Sequence, residues 1–421
     1  MPMRLLKPIL VTAIALGLSF PLASLSHRRP SSPTDYETEL ARIQKDIAEL
    51  KEAALSTPID IGKATRFVHR LYHRASLTGS PADLRVTETA IDRAIQEIGP
   101  LADLYLLKAN LDFGLHRLGK TSHGLSALSR FTGNAQVAAL KASLAFQQGE
   151  YAAAKRGYLS AIEKNPTWDN LARLAYWEAK FGDPDLADGL YGQAENEMSA
   201  KEMRSFAWVE LQRGLLDLNR GRYDDAMAHY QKAEKAYSGY WLVDEHMAEL
   251  LGATRRFEAA ASLYESVVAR APLPELHQRL GDLYVFMGKL DRAKPWHDKA
   301  LAGYLDSAAR GEVNYYHHLS AFYADARGDG AEAVKWAEKD VALRPNFATQ
   351  DALAWALYRA GRFEAARKIS REALSSGVKD AHLFFHAAMI HLAAGKTDEG
   401  KRLLKKAGEI NPGYDNFHAH R

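Results

Sequence analysis

Cysteine is missing altogether from the 421 residues of this chain. Without a thiol the chain can form no disulfide bond, no zinc–thiolate site and no iron–sulfur cluster, and it can carry no lipid on an N-terminal cysteine. The lack of disulfides does not argue against an oxidising compartment, because a chain of this length buries enough apolar surface without them.

A strong excess of charge of one sign is also missing. The chain has 55 basic and 52 acidic residues, a formal net charge of +3, and the two signs are mixed along it. Nucleic-acid binding needs a clustered basic face, so we expect no nucleic-acid partner. The sequence also has no P-loop, no Rossmann glycine pattern and no nucleophile elbow. We therefore expect neither enzyme activity nor a cofactor.

Long apolar runs are absent after the first residues. Arg4 and Lys7 precede an apolar stretch that ends at about Ala23, and Ser26 offers a cleavage position without an A-x-A pattern. This is the build of a secretory signal. Residues 1–26 are therefore predicted to be a signal peptide or an uncleaved membrane anchor that tethers the chain. We expect an exported protein, either periplasmic or anchored to the membrane and facing outward.

A short heptad pattern follows a Pro- and Ser-rich linker over residues 27–34. Residues 35–57 are predicted to form a coiled-coil-like helix, because apolar side chains recur at alternating steps of four and three: Tyr36, Leu40, Ile43, Ile47, Leu50 and Ala54. Two interpretations remain open. The helix is either a dimerising stalk, which would make the chain a homodimer, or a helix folded back over the first repeat.

Glycines recur through the rest of the chain: Gly149, Gly182, Gly221, Gly288, Gly328, Gly361 and Gly395. Five residues after each of them stands a small residue. One turn position has Arg255 in place of glycine, and Ala260 follows it by five residues. The small residues follow one another at steps of 33 to 40 residues: Ala154, Ala187, Ala226, Ala260, Ala293, Ala333, Ala366 and Gly400. A glycine permits a sharp turn between two helices, and a small residue lets the helices approach closely. The spacing therefore predicts a series of helix hairpins.

This pattern resembles the tetratricopeptide repeat (TPR) family. The order L-G-x-x-Y…A of that family is matched by Leu280, Gly281, Tyr284, Gly288, Ala293 and Ala300. The resemblance covers residues 135–414 as eight repeats, and residues 61–132 look like two degenerate ones with turns at Gly79 and Gly119. Residues 415–421 would be a C-terminal tail. The resemblance implies an all-α, right-handed α-solenoid of TPR helix hairpins.

The resemblance also implies that the first helix of each hairpin lines a concave face. Positions thirteen, ten, six and three residues before each turn share one side of that helix. They supply acidic residues in the middle of the face, including Glu245, Glu249, Glu275 and Asp282, and eight candidate partner-binding residues: Tyr176, Trp208, Tyr315, His318, Phe322, Trp355, Tyr358 and Phe385. Two interpretations stay open: these rings anchor a bound protein or peptide, or the solenoid buries several of them in its own core.

Two functions follow from these observations. The first is an exported TPR scaffold that binds an unidentified partner protein or peptide along its concave face. The alternative is a periplasmic metal-handling protein, because His69 and His73, like His382 and His386, lie four residues apart on a predicted helix. Such a pair binds a transition metal when a third ligand joins it. No HExxH motif accompanies either pair, so no metal ligands are assigned.

Overall fold

The computed structural model describes residues 32–55, 59–128 and 135–418. The described residues from Thr34 onward belong to one compact unit. The predicted signal segment and residues 27–31 of the predicted linker lie outside the described residues. Where the chain is described it is α-helical and has no strand, as the sequence predicts. None of these helices is both long enough and apolar enough to span a bilayer.

The described residues form twenty-one α-helices and one π-helical segment. Their bounds are α1 Asp35–Leu55, α2 Ile61–Thr78, α3 Pro81–Ile98, α4 Ala102–Gly114, α5 Leu118–Leu128, α6 Ala135–Gln147, α7 Tyr151–Lys164, α8 Trp168–Phe181, α9 Pro184–Asn196, α10 Met203–Leu218, α11 Tyr223–Ala236, α12 Trp241–Ala253, α13 Phe257–Arg270, α14 Pro274–Phe286, α15 Leu290–Ala309, α16 Tyr316–Ala321, the π-helical segment Phe322–Arg327, α17 Gly330–Leu343, α18 Phe347–Arg359, α19 Phe363–Ser375, α20 Ala381–Ala393 and α21 Thr397–Ile410.

From α2 onward the helices pack as ten consecutive hairpins, and the eight predicted from the glycine spacing are all present. Most of the turn glycines have positive φ, for example 81° at Gly149 and 74° at Gly288. At the one turn position without glycine, Arg255 takes the same left-handed conformation, with φ 62°. The small residues five positions later are buried between the paired helices, where a larger side chain would hold them apart.

The turn predicted at Gly119 is misplaced. The chain turns instead at His116, whose φ is 59°, and Gly119 lies inside α5. His116 holds the turn through a long-range contact, because its Nε2 lies 3.3 Å from Nη1 of Arg344. Burial beside that guanidinium lowers the pKa of His116 to about 3, so this imidazole is neutral. A local glycine signal could not reveal a turn that a distant arginine supports.

Segments far apart in sequence, by 164 to 200 residues, lie side by side. Lys180 contacts Asp380 at 2.7 Å, Asn346 donates to the Gln147 side chain at 2.9 Å, and Trp241 donates its indole N–H to a carbonyl of α2. Repeat solenoids usually form contacts only between neighbouring repeats. This one coils tightly enough to close on itself, so its inner face borders an enclosed space rather than an open trough.

Helix α1 takes part in this closure. Its apolar seam residues Ile43 and Ile47 are buried in a cluster that includes Tyr237 and Tyr240 of the α11–α12 turn. The backbone N–H of Tyr36 also donates to the carbonyl of a residue in that turn, at 3.1 Å. The seam is therefore covered by this chain's own helices, as the folded-back interpretation requires, but it packs on a hairpin far along the sequence as well as on α2.

Candidate functional site

The inner face of the solenoid encloses a cavity of about 450 Å³. Most of the lining comes from α8, α14, α16 with the π-helical segment, α18 and α20, each in the first half of a hairpin. His297 of α15 and the C-terminal residues Phe417 and His418 complete it. A second cavity of about 170 Å³ adjoins the first and shares five lining residues with it: Tyr176, Lys180, Asp380, His382 and His418. First helices therefore line an inner surface, as the family resemblance implied.

Two of the eight candidate residues line the larger cavity. Tyr176 borders both cavities and is 41% exposed. Trp355 is half-buried in the wall of the larger one, where its indole N–H donates to Asp325 at 3.0 Å. Tyr358 stacks on Trp355 from behind, with 4.8 Å between ring centroids. The rings of Tyr176 and Trp355 therefore lie on a surface that a bound molecule can touch.

Three candidates lie in or against the core. Phe322 is fully buried and Tyr315 is 6% exposed, in a cluster with Tyr304 and Leu319. The ring of His318 packs beside them, 5.5 Å from that of Tyr315. Their phenyl and phenol rings fill the space between hairpins, so they stabilise the solenoid and do not face the cavity.

The cause is the π-helical segment Phe322–Arg327. A π-helix inserts an extra residue into the helical repeat. Positions counted back from the turn at Gly328 through this segment are therefore displaced by about one residue. The cavity wall here is accordingly formed by His317, Ser320, Ala321 and Ala324, neighbours of the predicted positions. Nothing in the sequence pattern announces a π-helix, so the assignment of Phe322 to the inner surface was wrong for a reason that only the structure reveals.

The remaining two candidates lie outside the residues that line either cavity. Trp208 is half-buried and packs edge-on against Trp168, with 6.0 Å between ring centroids. Phe385 is half-buried near Tyr414, at 5.8 Å. The Trp208 ring packs between neighbouring hairpins, whereas the Phe385 ring packs against the segment that follows α21.

Sequence reasoning missed Val285 and Phe286, each 44% exposed in the cavity wall. Val285 stands three residues before the turn glycine Gly288, where the register of the inner face predicts an inward side chain. Val285 is aliphatic, whereas the eight candidate residues are aromatic or histidine. The register itself held for Gln278 and Asp282 in the same helix, which also line the cavity.

The charged residues of the larger cavity are mainly acidic. Lys180 is its one lysine among the described lining residues, and its Nζ lies 2.7 Å from Asp380. Burial alone would raise the pKa of the Asp380 carboxyl, but Lys180 outweighs burial and holds that pKa well below its usual value. Asp380 also caps α20 by accepting backbone N–H groups of its first turn. The pair thereby fixes one wall of the cavity.

Glu245 and Glu249, predicted as part of an acidic centre, are fully buried behind the cavity. Arg279 of α14 donates to Glu245 at 2.6 Å, and His246 lies 2.8 Å from the other oxygen of the same carboxylate. Burial works to lower the pKa of His246, but Glu245 outweighs it and raises that pKa. These two carboxylates thus belong to an ionic network inside the fold, whereas Asp282 lines the cavity.

The C-terminal segment after α21 lies against the inner face. Phe417 is buried against Phe286, with 5.8 Å between ring centroids, and its ring stands over Gly252 of α12. Nε2 of His418 lies 2.8 Å from Oδ1 of Asn219, and its Nδ1 bonds to Glu249. A segment predicted as a tail is therefore docked, at least as far as His418.

The two histidine pairs differ. His69 contacts Asp103 at 2.7 Å, but among the described residues no set of three donor atoms that includes this pair lies close enough to share an ion. His382 and His386 lie beside Asp351 of α18, and within the described ranges these three form the one group whose donor atoms are close enough to share an ion.

Comparison with known proteins gives the class of protein that this architecture defines. The family model described as tetratricopeptide repeat matches residues 274–302 and 348–378. The chain thus carries tetratricopeptide repeats on an all-α solenoid of helix hairpins.

More particular relatives are distant. A TPR repeat-containing protein, YpiA of Bacillus subtilis (strain 168), is 29% identical over 140 residues, which are 33% of this chain and 31% of that protein. The chain therefore spans about a third of the length of this curated relative.

Three solved structures are similar to this chain at low identity. A human IFIT1 dimer with PPP-AAAA is 12% identical, with a TM-score of 0.45 over 88% of this chain and 94% of that one. The APC/C hetero-tetramer Cut9-Hcn1 is 14% identical, with a TM-score of 0.41 over 90% and 80%. Yeast Tom70 is 14% identical, with a TM-score of 0.38 over 89% and 90%.

Proposed function

We propose that this chain is an exported scaffold that binds an extended segment of a partner protein in the cavity of its inner face. The observation that carries the proposal is the exposed apolar surface of that cavity, formed by Tyr176, Val285 and Phe286. Large apolar side chains exposed together in a concave surface are typical of a binding site. Repeats of this kind commonly serve protein–protein interaction, which makes a protein partner the first choice.

The size and charge of the cavity narrow the kind of segment. A volume of about 450 Å³ suits a few side chains of an extended peptide rather than a folded domain. Asp325 and Asp351 line the wall without a lysine or arginine as partner, since they pair with Trp355 and His386. A segment that combines an apolar side chain with a basic one would therefore fit best.

The docked C-terminal segment supports this mode of binding. Residues after α21 are held without regular secondary structure, by one buried ring and by hydrogen bonds to inner-face side chains. The inner surface can thus accommodate non-helical chain, which is what a partner segment would bring.

Binding should depend on Tyr176. Because this ring is already exposed, Tyr176→Ala should leave the melting temperature unchanged, whereas loss of an aromatic anchor should weaken partner binding at least about tenfold. The partner would first be captured from the native envelope fraction and identified by mass spectrometry, and its binding segment then titrated. Phe363→Ala is the matched control, because Phe363 is equally exposed at 39% but lies outside both cavities. Equal affinity of the two variants would count against the cavity as the binding site.

Export rests on the N-terminal segment. We expect residues 1–60, fused to a reporter that is active only outside the cytoplasm, to give an active reporter, since a basic start followed by an apolar run is recognised as a secretory signal. Replacing Leu16 and Leu18 by Arg interrupts that run and should abolish the signal. A reporter that stays inactive with the natural segment would contradict the proposed localisation.

A further inference from the structure

We infer that Asp351, His382 and His386 bind a divalent transition-metal ion in the wall of the large cavity. One carboxylate oxygen and one imidazole nitrogen from each histidine lie within 4.8 Å of one another. The two histidines stand one turn apart on α20, and Asp351 reaches them from α18. The histidine pair alone could not hold an ion firmly, and the fold supplies the third donor.

Asp351 has an oxygen that needs a partner. Its side chain is buried, with 8% of the residue exposed, and its Oδ2 is 2.8 Å from Nδ1 of His386. Its Oδ1 is buried and has no hydrogen-bond partner within the structure. A buried carboxylate oxygen left unpartnered costs free energy. A cation held by the carboxylate would remove that cost.

The imidazole rings are already held in place. The ring of His386 stacks on Trp355, with 4.0 Å between centroids and an angle of 11° between planes, and lies 3.8 Å from the ring of His382. The 2.8 Å contact between Asp351 Oδ2 and His386 Nδ1 is a hydrogen bond that also fixes the carboxylate beside the ring. These contacts hold the carboxylate and the imidazoles together before any ion binds.

The donor set selects the class of metal. Two imidazole nitrogens and one carboxylate oxygen suit zinc, cobalt, nickel or copper, whereas calcium and magnesium prefer oxygen ligands alone. Three protein ligands leave positions of the ion open to the cavity. The acidic surroundings, with Asp325 and Asp380 in the same wall, add to the attraction for a cation. This site goes beyond the proposed partner binding, and its test needs no partner.

The test is a cobalt titration of the tag-free, chelator-treated chain, followed by visible absorption and calorimetry. We expect one equivalent of Co²⁺ to bind and to be displaced by Zn²⁺. His382→Ala, at a half-buried position, and the isosteric Asp351→Asn should each weaken binding at least about tenfold, since loss even of an outer-sphere partner costs 10- to 100-fold. The control is the double variant His69→Ala/His73→Ala, which removes the other pair and should bind cobalt as the parent does.

Two results would overturn the inference. One is a parent chain that binds no cobalt. The other is unchanged cobalt affinity in both His382→Ala and Asp351→Asn, which would place any bound ion elsewhere among the sixteen histidines.

Discussion

Replacing Arg279 by methionine is expected to lower the free energy of unfolding by about 3–5 kcal/mol, because it removes the guanidinium that pairs with a buried carboxylate. Glu245 is fully buried and receives the Arg279 guanidinium at 2.6 Å. Glu249, also fully buried, stands one turn further along α12. Methionine fills a similar volume but brings no charge, so these two acidic groups would keep their histidine contacts but lose the guanidinium that pairs with Glu245.

The double variant Arg279→Met/Glu245→Gln separates lost charge from lost packing. Glutamine keeps the shape of Glu245 and can still bond to the hydroxyl of Tyr264, which lies 3.4 Å from the carboxylate. If the charge of Glu245 without the guanidinium causes the loss of stability, the double variant should recover most of it. Urea unfolding gives the total, and hydrogen exchange of α12 and α14 shows where the loss falls, because a repeat array can open in parts. A loss below about 1 kcal/mol in the single variant would contradict the network described here.

The local architecture could be predicted from the sequence because it depends on short-range chemistry. A glycine, or Arg255 in its place, turns the chain, and a small residue five positions later lets two helices meet. Both requirements act within one hairpin, so they leave a periodic trace. The same register correctly places Tyr176, Trp355 and Asp351 in the cavity wall.

The exceptions arise where distant parts of the chain decide. Phe322 faces the core because the π-helical segment adds a residue between it and the turn at Gly328, from which the inner-face register is counted. His116 forms a turn because Arg344, 228 residues away, supports it. The joining of Asp351 to the histidines of α20 depends on how two neighbouring hairpins pack, and a spacing rule within one helix contains no information about that packing.

The docked C-terminal segment leads to a second large effect. Phe417 is 4% exposed and packs among α12 to α14. Truncation of a buried phenylalanine costs about 3–5 kcal/mol, so Phe417→Ala should lower the stability of these hairpins by that amount. Hydrogen exchange of α12 would report the loss directly, and protection equal to that of the parent would show that the segment does not hold this face.

Gly252 gives a matched test of the same contact. The effect of Gly252→Ala on the free energy of unfolding should change sign when the Phe417 ring is removed. A Cβ at this position would stand 2.4 Å from a ring carbon of Phe417, so Gly252→Ala in the parent should destabilise by about 1–3 kcal/mol through overpacking. In the Phe417→Ala background that ring is gone, and alanine should instead stabilise α12 by up to about 1 kcal/mol, because it is the better helix former. Urea unfolding of the four chains of this cycle measures the coupling. Equal effects of Gly252→Ala in the two backgrounds would mean that the Phe417 ring does not pack on Gly252 in solution. A reversal in the sign of the stability change requires the ring to lie directly over the glycine.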